Sequence, residues 1–271
     1  MSELPTIAFL GAGQMAEAII RGLLRANVAP SRLFASDIRR ERLDVLHADL
    51  GITVCDSNRE ALEQGQVAII AVKPQDAPVL LQDMRAARED QLIISIAAGV
   101  RMASIEAALP PGVPVVRVMP NTPAFVLEGM AVLARGSHAS DSHEAIARAI
   151  FSSIGRVQVL PESKMDAVTA LSGSGPGFVA LIIEGLADGG VAAGLPRDTA
   201  LELAAQTVLG TAKLMLERGL HPGVLKDMVA SPGGTTIAGL AELENRSVRG
   251  ALIQAVLAAT RRSEELGRIA G

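Results

Sequence analysis

At 271 residues the chain exceeds one typical domain, so two domains and a sizeable core are expected. A net charge of −4 and the absence of Trp and Tyr leave no basic footprint and no indole or phenol for base stacking, which argues against a nucleic-acid partner. No run approaches the ~18–20 unbroken apolar residues of a membrane span. The single cysteine, Cys55, excludes an internal disulfide framework.

Thr6-Ile7-Ala8-Phe9-Leu10 opens the chain as a wholly apolar run, as expected of a parallel strand buried on both faces. A first strand so near the start leaves no room for a secretory leader, and with one cysteine it points to a cytoplasmic protein. Gly11-Ala12-Gly13-Gln14-Met15-Ala16 follows directly and matches G-x-G-x-x-[G/A], after which Ile19, Ile20 and Leu23 recur at helical spacing. In such a turn Gly11 permits the tight bend, Gly13 lets a pyrophosphate approach the backbone, and Ala16 lets helix and strand pack closely. Free N–H groups at the helix start then face a phosphate. The flanking strand and helix turn a weak glycine pattern into a dinucleotide site.

Leu33 to Ser36 reads as the second strand, ending in Asp37, 21 residues beyond Ala16. An acid there suits the adenine ribose 2′-hydroxyl of NAD, whereas Arg39 and Arg40 just beyond suit a 2′-phosphate. The residues leave both cofactors open. Ile52–Val54 is a third strand, and Ser57 to Glu60 reads as a capped helix start, with capping as the plain reading of Asn58. Val67–Val72 runs into Lys73-Pro74, Leu92–Ile96 into Ala97-Ala98-Gly99, and Val115–Met119 into Pro120-Asn121-Thr122-Pro123. Strands alternating with helices specify a doubly wound parallel sheet, and these three strand ends outline one crevice at its carboxyl edge. Met130–Leu133 and Arg156–Leu160 complete the sheet around a helix at Ser142–Ser153. Pro161 marks the domain boundary, giving domains 1–161 and 162–271.

Beyond Pro161 the periodicity is helical throughout. A helix over Met165–Leu171 is interrupted by Ser172-Gly173-Ser174-Gly175-Pro176. Pro176, Pro196 and Pro222 then open further helices, and two more lie near Thr236–Leu243 and Val248–Leu266. These helices are rich in Ala and Gly with apolar residues on more than one face, which suits packing against a second copy. Service to one subunit's own core is the alternative. Ser231-Pro232-Gly233-Gly234-Thr235-Thr236 before a helix is a second anion-binding candidate, fitted to a carboxylate; helix capping by Thr235 or Thr236 is the plain reading. The four histidines show no metal-ligand spacing, so no metal site is expected.

The chain resembles the pyrroline-5-carboxylate reductase family over essentially its whole length. The resemblance is carried by GAGQMA at Gly11–Ala16, AVKPQ at Ala71–Gln75, SIAAGV at Ser95–Val100, VRVMPNTPA at Val116–Ala124, DAVTALSGSGP at Asp166–Pro176 and LKDMVASPGGTT at Leu225–Thr236. It implies reduction of the cyclic imine 1-pyrroline-5-carboxylate to L-proline with NADPH, NADH being the alternative. It also implies an α/β fold in which an N-terminal Rossmann domain precedes an all-α helical dimerisation domain, with dimers often gathered into rings. By the same resemblance Ala71, Val72, Lys73, Pro74, Ala97, Ala98, Gly99 and Asn58 touch the cofactor, beside Gly11, Ala12, Gly13, Gln14, Met15, Asp37 and Arg39. The substrate carboxylate lies on Gly234, Thr235 and Thr236, with Glu162, Asp227 and Met228 lining the pocket; Met228 stands where the family commonly has Asn.

An imine nitrogen is basic enough to be protonated before hydride arrives, so no strongly acidic side chain is required. Thr236 is the candidate catalytic residue, hydrogen-bonding the ring nitrogen. Lys73, beside Pro74 at a strand end, suits cofactor contact or a salt bridge better than proton transfer. Of two rivals, a β-hydroxyacid dehydrogenase would rely on a lysine within a helix of the second domain, yet Asp166–Ile183 contains none. A non-catalytic nucleotide sensor on the same fold is the other.

Overall fold

The computed structural model describes residues 4–269. They group into two compact units, one running to Ser174 and resuming at Ala259, the other spanning Gly175–Ala258.

In the first unit, β1 (Ile7–Leu10), β2 (Leu33–Ser36), β3 (Thr53–Val54), β4 (Val67–Ile70), β5 (Leu92–Ser95), β6 (Val115–Met119), β7 (Gly129–Arg135) and β8 (Gly155–Val159) form one sheet in the order β3-β2-β1-β4-β5-β6-β7-β8. The first six pair in parallel, and the order reverses between β1 and β4, the switch point at which such sheets bind dinucleotides. β7 runs antiparallel to β6, and β8 parallel to β7. Period-two alternation explains the unbroken apolar strands: Ile7 and Phe9 pack into one face's core, Ala8 and Leu10 into the other's. Helices α1 (Gln14–Arg25), α2 (Arg40–Leu50), α3 (Asn58–Gln64), α4 (Ala77–Asp83), α5 (Met102–Ala108) and α6 (Asp141–Phe151) cover both faces.

The Ser172–Pro176 stretch does not break the chain's helical course. α7 (Met165–Val168) widens into a π-helical turn at Thr169–Gly173, closed by the Ser174 N–H donating to Thr169 O at 2.8 Å, and α8 (Gly175–Ala192) follows. The glycines and serines are absorbed by the wider turn, and Pro176 falls in the first turn of α8, where no N–H is needed.

The second unit holds α8, α9 (Arg197–Arg218), α10 (Pro222–Val229), α11 (Thr235–Asn245) and the start of α12 (Val248–Ile269). Gly194 and Gly219 end α8 and α9 with φ of +99° and +62°. Among its described residues the buried apolar side chains are Ala187, Ala200, Ala204 and Leu225, whereas Leu181 and Leu216 are 69% and 59% exposed. So small a core cannot hold an 84-residue unit by itself, which disfavours the single-subunit alternative. By length and composition alone, the helical run Glu162–Ala192 would also serve as a membrane span.

Candidate active site

The glycine turn is built as a cradle. Gly11 has φ +100°, and a Cβ there would lie 2.8 Å from Ala71 O and 2.9 Å from Val72 Cγ1, so only glycine fits between β1 and the exit of β4. Gly13 is the N-cap of α1 and offers no side-chain acceptor, leaving the helix's first N–H groups of Gln14 and Met15 open. A Cβ at Gly13 would meet nothing nearer than Ala71 O at 4.0 Å, so the backbone is open to an incoming group. Ala16 is buried in the core beside Phe9 and Ile19, as close helix–strand packing requires.

At the end of β2 the acid and one arginine are not competitors. Asp37 Oδ2 accepts from the Ala12 N–H at 2.9 Å, and Oδ1 accepts from the Arg39 N–H and Nε at 2.9 and 3.0 Å. Burial raises the Asp37 pKa, but these bonds outweigh it and hold the carboxyl below its ordinary value. Arg40 is turned away to Asp44 and Asp56, leaving Arg39 as the guanidinium beside the acid. Asn58 departs from its plain reading as a cap. Ser57 caps α3 by accepting from the Glu60 N–H, while Asn58 Oδ1 accepts from Ser36 Oγ and its Nδ2 donates to Asp83. Cys55, next to this corner, is buried; burial first, then Glu60 and Asp56, push its thiol up to about 11, so it stays protonated and inert.

Farther along the edge, the ladder ends at Ile70 and Ser95, short of the Val72 and Ile96 expected from the sequence, because the chain turns at Lys73-Pro74 and at Ala97-Ala98-Gly99. Lys73 is exposed and forms no ion pair with a described residue. Ala97 is buried, Ala98 and Gly99 half-buried, and Gly99 takes φ +77°. Two side chains that the sequence did not single out as site residues organise this region. Arg117, buried on β6, donates to Glu162 Oε1 at 3.0 Å, and the Met102 N–H at the start of α5 donates to the same oxygen at 2.6 Å. Asn121 donates from Nδ2 to Ser172 O at 3.0 Å and accepts the Met130 N–H on Oδ1 at 2.8 Å. A lone arginine in an apolar strand was the available signal for the first; the second needed tertiary structure.

In the second unit the Ser231–Gly234 turn leads into α11. Gly233 has φ +70°, and Gly234 is the N-cap without a side-chain hydrogen bond. Thr235 and Thr236 therefore do not cap; they occupy the first turn, Thr235 exposed and Thr236 half-buried. Asp227 and the exposed Met228 lie in the last turn of α10, joined to α11 by this short turn. The structure thus gathers Gly11–Met15, Asp37, Arg39, Asn58, Ala71–Pro74, Ala97–Gly99 and Glu162 in the first unit, and Asp227, Met228 and Gly234–Thr236 in the second.

Comparison with known proteins agrees with both halves. Residues 162–266 match the family described as pyrroline-5-carboxylate reductase dimerisation, so self-association belongs to this half, and residues 6–99 match "NADP oxidoreductase coenzyme F420-dependent". The pyrroline-5-carboxylate reductase of Methanosarcina acetivorans is 47% identical over 97% of this chain and 98% of its own, and that of Arabidopsis thaliana 43% over 97% and 95%. Among solved structures, the Coxiella burnetii pyrroline-5-carboxylate reductase superposes with a TM-score of 0.91 at 33% identity, covering 97% of this chain and 98% of that one. The Plasmodium falciparum pyrroline carboxylate reductase, solved with NADP bound, gives 0.87 at 32% identity, covering 98% and 99%. With full-length relatives at this identity, the chain belongs to the pyrroline-5-carboxylate reductase family.

Proposed function

We propose that the chain reduces 1-pyrroline-5-carboxylate to L-proline with NADPH, the last step of proline biosynthesis. The observation that carries this reading is the presence, in one family member, of two glycine-capped helix starts built for anions, one below a dinucleotide cradle and one in the helical half. The residues fit a dinucleotide, since the backbone at Gly13 stands open, a Cβ there meeting nothing nearer than Ala71 O at 4.0 Å. When bound, the reduced nicotinamide supplies the hydride. Gln14 and Met15 N–H groups hold the pyrophosphate, and Arg39 meets the 2′-phosphate while sharing its charge with Asp37.

The substrate's ring nitrogen is protonated in solution before transfer, so the carbon that receives hydride is already electrophilic and the product is the secondary amine of proline. The N–H groups at the start of α11 hold the carboxylate, with Gly234 giving close approach and Thr235 adding a hydroxyl. Thr236 Oγ1 hydrogen-bonds the ring nitrogen and fixes its orientation. Asp227 and Met228 line the carboxylate site beside the start of α11. Residues 162–271 act as the dimerisation and substrate domain on a dinucleotide-binding domain of residues 1–161, and dimers assemble into a ring in the cytoplasm.

NADPH oxidation with racemic substrate tests this directly: consumption of about half the racemate with L-proline as product is expected, and no turnover by folded, cofactor-bound protein would overturn it. Thr236→Ala should lower kcat/KM by roughly 10–1,000-fold, the scale of one or two oriented hydrogen bonds. Wild-type efficiency in that variant would remove Thr236 from the mechanism.

A further inference from the structure

Asn121 stands at the N-cap of the short turn Thr122–Val126, where an Asn side chain ordinarily accepts from the backbone two or three residues on. It makes no such bond. Its amide instead spans two other segments, accepting the Met130 N–H of β7 and donating to the carbonyl of Ser172. Because one partner can only donate and the other only accept, the amide has one allowed orientation. Ser172 lies in the π-helical turn Thr169–Gly173. A π turn is costly and leaves carbonyls without their usual helical partners, so it persists where something outside the helix holds it. A second contact comes from the same strand end. A Cβ on Gly173 would lie 2.6 Å from Met119 Cε, so the turn rests directly on the last residue of β6.

The end of β6 belongs to the β4–β6 half of the sheet. In a doubly wound fold one nucleoside lies over each half. The adenine side is fixed by Asp37 at β2, which leaves the β4–β6 ends to the nicotinamide. We infer that Asn121 is a positioning residue for hydride transfer: its two amide hydrogen bonds clamp the π turn onto the end of β6 and so set the wall of the crevice that orients the nicotinamide ring. This inference rests on the reductase reading for its kinetic test, but not for its binding test.

Asn121→Asp is the informative variant. It keeps the acceptor for the Met130 N–H and turns a second oxygen toward the Ser172 carbonyl, releasing the turn by repulsion. Cofactor grip by the phosphate and adenine ends is untouched, so the NADPH Kd should stay within about threefold of wild type. Loss of near-attack geometry should lower kcat by roughly 10–100-fold, with KM for NADPH little changed. Bound NADPH should also show lower nicotinamide fluorescence anisotropy. If Asn121→Asp does not fold, Asn121→Ala removes both amide bonds without adding a repulsion, and a kcat loss and anisotropy change in the same direction are expected. A fall in Tm with wild-type kcat per folded site and unchanged anisotropy would mean a structural role only and would overturn the inference. Failure of the wild-type protein to turn over the imine would count against the reductase reading, while the anisotropy comparison would still decide for or against the clamp.

Discussion

The ion pair between Arg117 and Glu162 gives a sharp test of how the first unit is held together. Arg117 comes from the middle of a buried strand, its side chain is 6% exposed, and its described ion-pair partner is Glu162 at 3.0 Å. Glu162 also ends the N-terminus of α5 by accepting the Met102 N–H. Glu162→Ala would therefore strand a buried guanidinium and an orphan helix N–H together. Breaking a fully buried pair costs about 3–5 kcal/mol. The carboxylate is a third exposed, so water can reach the guanidinium's near side, and about 2–3 kcal/mol is the better figure. For a chain of this size that should lower Tm by roughly 4–12 °C. Glu162→Gln keeps an acceptor for both donors and should lose about half as much. Replacing both charges, as in Arg117→Met with Glu162→Leu, should recover most of the loss, because an apolar pair leaves no charge to desolvate.

Thermal and urea unfolding of the single and double variants would check this. A Glu162→Ala protein whose Tm lies within about 1 °C of wild type would refute the reasoning. Steady-state kinetics on Glu162→Gln separate the second role that the resemblance gives this residue. Both protein bonds fall on Oε1, so a raised KM for the imine would assign Oε2 to substrate, and an unchanged KM would confine Glu162 to the scaffold.

Two further outcomes follow from the same geometry. Arg39→Ala should raise the NADPH KM by roughly 10–100-fold and leave NADH nearly unaffected, since the remaining partner at the ribose is a carboxylate. Asp37, held below its ordinary pKa, contributes stability that is fully present above the unfolded value of about 3.9 and is lost as pH falls through its folded value. Asp37→Asn should therefore be less stable than wild type at pH 7, with the gap in urea midpoint closing below about pH 4. For the helical half, Leu181→Asp should weaken self-association. Burying the exposed two-thirds of a leucine is worth about 1–2 kcal/mol and counts twice across a twofold interface, so sedimentation should show at least a tenfold weaker dimer.

Much of the fold was legible because local chemistry and tertiary need coincided. Ile7–Leu10, Val67–Ile70 and Leu92–Ser95 are apolar at every position because both faces are covered, and Gly11 sits where a Cβ has no room. The cofactor conflict at the end of β2 was legible only as a conflict: sequence gives an acid and two arginines, and three dimensions pair one arginine with the acid and send the other to Asp44 and Asp56. The π turn was misread as a break because glycine and serine spacing is the same whether a helix ends or widens; what decides is the Ser174 bond to Thr169 and the clamp from Asn121, 51 residues away. The plain capping reading of Asn58 fails for the same kind of reason. A neighbour, Ser57, took the capping role, which freed its amide to join β2 to Asp83.

Helix starts along the chain are capped in different ways, and Arg39, Arg101 and Pro196 at the starts of α2, α5 and α9 also give no side-chain cap bond. α3 and α6 begin with Ser57 and Ser140, whose hydroxyls take a first-turn N–H, and α10 begins with His221, whose ring accepts from Gly223. Those helices spend their N-terminal field on their own side chains. Where a cap residue is described, glycine fills that place in α1 and α11, and neither has a side chain to offer. An uncapped helix start leaves its N–H groups to solvent unless an anion arrives, so each is stabilised by ligand at the expense of the empty protein. Gly13→Ser and Gly234→Ser would supply the missing acceptor and crowd the same N–H groups. The free protein should keep or gain stability while the phosphate-bearing cofactor and the carboxylate substrate, respectively, lose affinity. On the proposed function, these are the two helix starts that the cofactor's phosphate and the substrate's carboxylate complete.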